Sequence, residues 1–220
     1  MFIDRKDAGN KLGQALEKYQ HVHPLVLGIP RGGVEVGYYV AIHLKCDFDV
    51  VIVRKLGYPC GPEAAFGAIA EDGSLYLNPW SNKYLNKEII EQVVKKERQE
   101  IRRRINEYRK KMSLPDLADR VVILVDDGIA TGSTIFAALS MCQKQEPKKL
   151  VVAAPVSGTD RLMRLEDEAD EVIILDQREK FFAVSEGYQR FTKLTDNEVI
   201  HFMELWRKKR FFMKKSSGHK

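Results

Sequence analysis

The sequence is short of the residues that build metal centres and disulfide frameworks. Three cysteines occur in 220 residues, Cys46, Cys60 and Cys142. Their odd number and wide spacing, with no Cys-x-x-Cys pair, argue against a disulfide scaffold or a zinc site, and they read as ordinary thiols. Histidine is equally sparse: His21 and His23 precede Pro24, His43 and His201 fall in helix-like stretches, and His219 lies near the end of the chain. No run approaches the roughly 18 apolar residues that a membrane span requires, and the opening MFIDRKDAGNKLG is charged and has no apolar signal core. A cytoplasmic chain with no membrane partner is expected. Neither Gly-Lys-Ser/Thr at the end of a phosphate loop nor a G-x-G-x-x-G fingerprint after a strand is present, which excludes the usual triphosphate and dinucleotide loops. Internal repeats and low-complexity linkers are also missing.

What is present suits one domain with a full core, placed at residues 1–213, and a frayed tail over 214–220. The net charge of +5 is uneven. Residues 87–111 hold ten basic and five acidic side chains, and a second basic cluster, Arg207, Lys208, Lys209, Arg210, Lys214 and Lys215, closes the chain. A solvated helix face is the ordinary explanation, and a polyanionic substrate or nucleic acid the alternatives.

Short apolar runs alternate with amphipathic, helix-length stretches, the pattern of a parallel sheet covered by helices. Strands are expected at Leu25–Ile29, Phe48–Val53, Val121–Val125, Leu150–Ala154 and Val172–Leu175. Helices are expected near 5–19, 33–44, 133–145, 159–168 and 196–210, with a hairpin of Phe66–Ala70 and Ser74–Leu77. The fold class is therefore α/β, a mostly parallel twisted sheet flanked by helices. One segment does not belong to a minimal sheet of this kind, a long helical insert at about 84–113. Its stripe of Ile89, Val93, Glu97, Ile101, Ile105, Tyr108 and Met112 must pack on the domain's own sheet or on a second subunit, and Pro115 is expected to end it.

The strongest signal runs from Val121 to Thr134, VVILVDDGIATGST. A buried strand delivers Asp126 and Asp127 at its carboxyl end, where open α/β sheets bind ligands. The following loop, Gly128 through Ala130, Thr131, Gly132, Ser133 and Thr134, offers backbone N–H groups, hydroxyls and a helix N-terminus that suit a phosphate monoester. The two carboxylates can accept hydrogen bonds from a ribose diol or help to hold a hydrated magnesium ion. A merely capped helix would explain one Asp and one Ser, but not the whole run.

This strand, acidic pair and Thr-Gly-Ser-Thr loop resemble the signature of the type I phosphoribosyltransferases. The resemblance covers roughly residues 20–190. It implies that Asp126 and Asp127 contact the 2′ and 3′ hydroxyls of 5-phosphoribosyl-1-pyrophosphate and that the loop holds its 5′-phosphate. Magnesium is implied as cofactor, met by the two carboxylates mostly through water or substrate. Leu25–Gly33 resembles the family's pyrophosphate loop, in which one peptide is often cis without proline, and assigns Arg31, Gly32 and Gly33 to pyrophosphate. Arg54-Lys55-Leu56-Gly57-Tyr58-Pro59 resembles the basic segment that leads into a mobile catalytic loop. Lys180–Tyr188 is similar to the acceptor segment of the purine enzymes, a small hood at about 177–195 where Phe182 would stack on a base and Val184 would lie beside it. The family's acidic residue farther along that segment is not evident, and core packing of Phe181 or Phe182 is an equal reading. The RKLGxP and PExAxGAIA stretches, with the helical insert, resemble a bacterial subgroup whose acceptor is not established.

The implied chemistry is displacement of pyrophosphate by a nitrogenous acceptor, as in nucleotide salvage. Arg54 and Lys55 would neutralise the leaving group, and Asp127 would serve any proton transfer. Two rivals share the same residues: a ligand-sensing regulator that binds nucleic acid, and a hydrolase of the sugar phosphate. The lack of a helix-turn-helix or RNA module argues against nucleic acid. A homo-oligomer is expected, with the insert as an arm over the site entrance or an intersubunit element.

Overall fold

Strands that are apolar on both sides of the pleat must be covered on both faces. The computed structural model, which describes residues 1–59, 61–79 and 85–217 with the side chains at 62, 63 and 210–217 excepted, shows this arrangement. Along the chain, α1 (Arg5–Ala15) and a 3₁₀ turn (Glu17–Val22) precede β1 (Leu25–Gly28), α2 (Gly32–Leu44) and β2 (Asp47–Val50). Next come β3 (Val53–Tyr58), β4 (Gly61–Ala70), β5 (Leu75–Leu77), α3 (Lys87–Arg109), β6 (Val121–Val125) and α4 (Ser133–Gln143). The chain continues through β7 (Lys149–Gly158), α5 (Thr159–Glu168), β8 (Glu171–Arg178), a short turn (Val184–Gly187) and α6 (Asp196–Ser217).

The main sheet is five-stranded and parallel, in the order β2-β1-β6-β7-β8. Val26, Ile123, Val125, Val151 and Ala153 face one core with α1, α2, α3 and α6. Leu25, Leu27, Val122, Leu124, Leu150 and Val152 face the other, against α4 and Leu165 of α5. The strand order reverses between β1 and β6, where Gly28 pairs with Val125. The loops after these two strands therefore leave the sheet side by side, at the kind of crevice where open α/β sheets take ligands.

The expected strand over 48–53 is two strands. Asp47–Val50 lies in the parallel sheet, and after two buried residues Val53 opens a separate antiparallel sheet, β3-β4-β5. A continuous apolar run carries no mark of where the chain changes sheets. In consequence Arg54 and Lys55 lie within β3, paired with Ile69 and Ala68 of β4, and not on a segment after a strand. We call this antiparallel sheet the flap.

The insert is the helix α3, begun by Asn86, whose side chain accepts from the Ile89 N–H at 2.9 Å. It ends at Arg109, where Lys110 and Lys111 take φ of 54° and 67°, so Pro115 is not its terminator. Met112 lies beyond the helix and is 53% exposed, which removes it from the apolar stripe. The buried face is Val94, Glu97, Ile101, Arg104, Tyr108 and Arg109, and it packs within the chain on the flap and α6. Arg109 makes a bidentate pair with Glu71 at 2.8 and 2.6 Å, both side chains being almost fully buried. Burial pushes the Glu71 carboxyl up against the opposing pull of Arg109. On the side toward α6, Asp196 accepts from the Tyr108 hydroxyl at 2.5 Å and from Arg103 at 2.6 Å.

The closing helix runs through Lys214 and Lys215 to Ser217, where a frayed tail was expected. Cys60, residue 84 at the start of the expected insert, and the last three residues lie outside the described residues. Cys46 and Cys142 are free and buried. Among the described residues, no helix is long and apolar enough to cross a membrane.

Candidate active site at the strand crossover

The loop after β6 begins with two carboxylates that constrain each other. The Asp127 N–H donates to Asp126 Oδ1 at 2.9 Å, turning the first side chain back on the backbone. Burial, then the neighbouring Asp127 charge, push the Asp126 carboxyl well above the usual carboxylate range, while Lys55 pulls the other way. Gly132, at φ 77°, starts α4, and a Cβ there would meet the Phe136 ring at 2.8 Å. No side chain caps α4 and no acidic residue occupies its first turn, so its leading N–H groups stay open to an anion. Ser133 is fully buried at this end, and the Thr131 hydroxyl reaches its Oγ at 3.5 Å.

The loop after β1 closes against this one. The peptide between Pro30 and Arg31 is cis. A Cβ on Gly32 would lie 1.8 Å from Asp127 Oδ2, and one on Gly33 would lie 2.5 Å from the Val125 carbonyl. Glycine is required at both positions because the backbone passes directly over the acidic pair. Arg31 itself is exposed and reaches Asp196 at 3.5 Å.

Two further partners of the pair come from the ends of the chain. Phe2 pairs with the segment at Tyr188, its N–H donating to the Gly187 carbonyl at 2.8 Å while its own carbonyl accepts from Gln189 at 2.8 Å. This puts α1 beside the site, where buried Arg5 donates from Nε to Asp127 Oδ2 at 2.7 Å and from Nη1 to the Thr192 carbonyl at 2.7 Å. Its guanidinium lies 4.1 Å from the centre of the Phe191 ring. The Tyr188 hydroxyl donates to the Asp127 carbonyl at 2.5 Å, and burial followed by the Asp127 charge raises its pKa. Neither residue stands out in the sequence: Arg5 is one of several charges in an opening helix, 122 positions from its partner.

On the flap side, Arg54 is bound through Nε to Glu97 of α3 at 2.8 Å, whereas exposed Lys55 forms no direct ion pair among the described residues. A cleft of about 850 Å³ runs from Arg31 and Thr134, past Lys55, to the wall formed by α3. Asp126 and Asp127 lie outside its lining. On the hood side, Phe181 and Val184 pack against Phe2, Val156 and Tyr188, while Phe182 is 83% exposed. A Cβ on Gly128 would meet Val184 at 2.6 Å, so that glycine sits directly under the hood. The structure thus brings together Arg31–Gly33, Lys55, Asp126–Thr134 and Val184, ties Arg54 to the arm, and leaves Phe182 facing solvent.

Comparison with known proteins gives this arrangement a family. The model of the phosphoribosyl transferase domain matches residues 5–190. A protein of Mycobacterium tuberculosis, found in strains CDC 1551 and H37Rv and assigned by name only provisionally as a phosphoribosyl transferase, is 41% identical over 206 residues. The alignment takes in 93% of this chain but 46% of the relative, so the chain spans about half the length of the curated relatives it matches. A crystal structure of a protein from Thermus thermophilus superposes with a TM-score of 0.78 at 39% identity, covering 94% of this chain and 99% of that one. The chain belongs to the phosphoribosyl transferase family, a class of pentosyltransferases.

Proposed function

We propose that this chain transfers ribose 5-phosphate from 5-phosphoribosyl-1-pyrophosphate to a nitrogenous acceptor, a purine-like base being the first candidate, and releases pyrophosphate. The observation that carries the reading is the meeting of two loops at the strand crossover, one bearing an acidic pair and an open helix N-terminus, the other passing glycine backbone over that pair. Residues 130–134 hold the 5′-phosphate, and Asp126 and Asp127 accept from the ribose hydroxyls. Arg31, the backbone at Gly32 and Gly33, and Lys55 take the pyrophosphate, with Arg54 behind them and Val184 and Phe182 on the acceptor side.

Displacement at C1 passes through a state with positive charge on the sugar, so the protein needs a fixed ribose, a clamp on the departing anion and exclusion of water more than a strong base. Lys55, in no direct ion pair among the described residues, suits the clamp. Arg5 keeps the Asp127 carboxylate in one orientation, which favours a role in fixing the sugar over one in proton transfer. The donor set fits magnesium: Asp126 and Asp127 offer hard oxygen ligands, too few to enclose an ion and adequate to hold a hydrated one. Bound there, magnesium would neutralise charge on the phosphate oxygens.

In the same reading the enzyme works in the cytoplasm as a homo-oligomer, with no nucleic-acid partner. The test is pyrophosphate release from phosphoribosyl pyrophosphate and magnesium across purines, pyrimidines and small amines, with a lane lacking acceptor. Release that depends on one acceptor supports transfer, and release without any acceptor supports hydrolysis. Binding without release under all conditions would sink the reading in favour of a sensor.

A further inference from the structure

The cleft between flap and arm is larger than a pyrophosphate requires. Clefts of about 300–1,000 Å³ enclose drug-sized ligands, and this one, of about 850 Å³, reaches past Arg31, Lys55 and Thr134, the lining residues assigned to the phosphoribosyl donor, to a wall of α3 residues with no part in that assignment. Its far wall is one face of α3: Ile89, Gln92, Val93 and Lys96, at successive helical spacings, all line it. Ile89 and Val93 remain only half-buried, so an apolar strip faces the cleft beside the exposed Lys96. Lys55 and Tyr58 of β3 line the same cleft.

The charges there are of two kinds. Arg54 and Arg104 are neutralised by Glu97 and Glu100, each at 2.8 Å. Lys55 and Lys96 form no direct ion pair among the described residues, although Lys55 lies near enough to Asp126 to act on its charge. Free ammonium groups flanking an apolar strip and an aromatic ring select a ligand that is anionic at one end and flat and apolar at the other.

We propose that the α3-lined half of the cleft is a second binding site for a phosphate ester carrying a planar apolar group, the chemistry of a nucleoside di- or triphosphate. Its phosphates meet Lys96 and, in competition with pyrophosphate, Lys55, and its ring covers Ile89, Val93 and Tyr58. The site's position beside the leaving-group loop rests on the transferase reading, whereas its ligand chemistry does not.

The test is calorimetric titration of the full chain with ATP and with inorganic tripolyphosphate. ATP is expected to bind about tenfold more tightly than tripolyphosphate, since a stacked ring adds to the phosphate contacts. Lys96→Gln should weaken both by about tenfold, the loss of one charged hydrogen bond. Val93→Asn should abolish the advantage of ATP and leave tripolyphosphate unchanged. Because Lys96 is exposed, its variant reads the site even if Val93→Asn fails to fold. Asp126→Asn with Asp127→Asn, which removes the carboxylate charge near Lys55, should not weaken ATP binding. Equal affinity for the two ligands, no ATP binding, insensitivity to Lys96→Gln, or loss of ATP in the acidic-pair variant would each overturn the proposal. ATP binding that depends on Lys96, in a protein that releases no pyrophosphate, would sink the transferase reading and leave this site standing.

Discussion

The two sides of the site are held in different ways. On the cradle side, Asp126–Thr134 and Gly32–Gly33 emerge from adjacent parallel strands and are packed so closely that a methyl group on Gly32 has nowhere to go. Behind them stand a buried arginine and a buried tyrosine hydroxyl. On the flap and arm side, the groups facing the cleft sit on a three-stranded antiparallel sheet and a helix, joined near the site by the partly exposed Arg54–Glu97 pair. Partly exposed ion pairs stabilise weakly, and buried hydrogen-bonded ones resist removal. The comparison teaches that the proposed sugar-phosphate cradle is built into the sheet, while the side chains facing the cleft across from it are held there by a partly exposed pair.

Breaking the cradle should have the largest effect. Replacing Asp126 and Asp127 together by Asn is expected to weaken binding of phosphoribosyl pyrophosphate by about 2–5 kcal/mol, the range for truncating buried charged contacts. Calorimetry in magnesium, with circular dichroism to check the fold, measures it; unchanged affinity would remove the central assignment. Gly32→Ala comes next. A Cβ at 1.8 Å from Asp127 Oδ2 must displace the carboxylate, and a displacement near 1 Å costs about 10²-fold in turnover. Normal kinetics in that variant would show that the Asp127 position is unimportant.

Lys55→Ala probes the flap. It should lower turnover by about ten- to a hundredfold, as expected for a lost charged hydrogen bond, while affinity for ribose 5-phosphate stays nearly unchanged. Equal losses for both would point to general disruption. Phe182→Ala should be smaller and informative in its split. With the ring 83% exposed, the melting temperature should not move, and the Michaelis constant for the acceptor should rise by the about 1–3 kcal/mol of a base stack. A destabilised variant with normal kinetics would return Phe182 to a packing role.

The smallest effect is at the contact between the arm and the start of α6. Burial opposes the Asp196 charge, but the hydrogen bonds from Tyr108 and Arg103 outweigh it and lower its pKa to about 2. A carboxylate whose folded pKa lies below its unfolded value adds stability above the unfolded value, about 3.8, and loses it as pH falls toward 2. Asp196→Asn should therefore reduce stability at neutral pH and flatten its dependence between about pH 4 and 2 in chemical denaturation. An unchanged acid limb would mean that this contact does not hold α3 to α6.

How much of this was legible before the fold depended on sequence distance. The strand-acid-loop run 121–134 and the turn at 30–33 are local, and each carries its own reason in its residues: apolar strand, acidic pair, small residues, helix start. The split at 50–53 was not legible, because Val50, Val51, Ile52 and Val53 are all buried and present one uninterrupted apolar run. The face of α3 was misjudged at Met112 because left-handed Lys110 and Lys111 stop the helix without glycine or proline.

By itself the sequence determined the α/β class and marked the acidic pair, the small-residue loop after it and the glycine-rich turn at 30–33, while the structure showed that no side chain fits at Gly32 and Gly33. Only the tertiary structure decided that Arg5 holds Asp127, that Glu97 takes up Arg54, that Lys55 forms no direct ion pair among the described residues, and that Phe182 points to solvent while Phe181 packs. The physical reason is that hydrogen bonding and backbone sterics act between neighbours in the chain, and residue order records them. The pairing of charges 43 and 122 positions apart depends on how sheets and helices stack, and residue order does not record it.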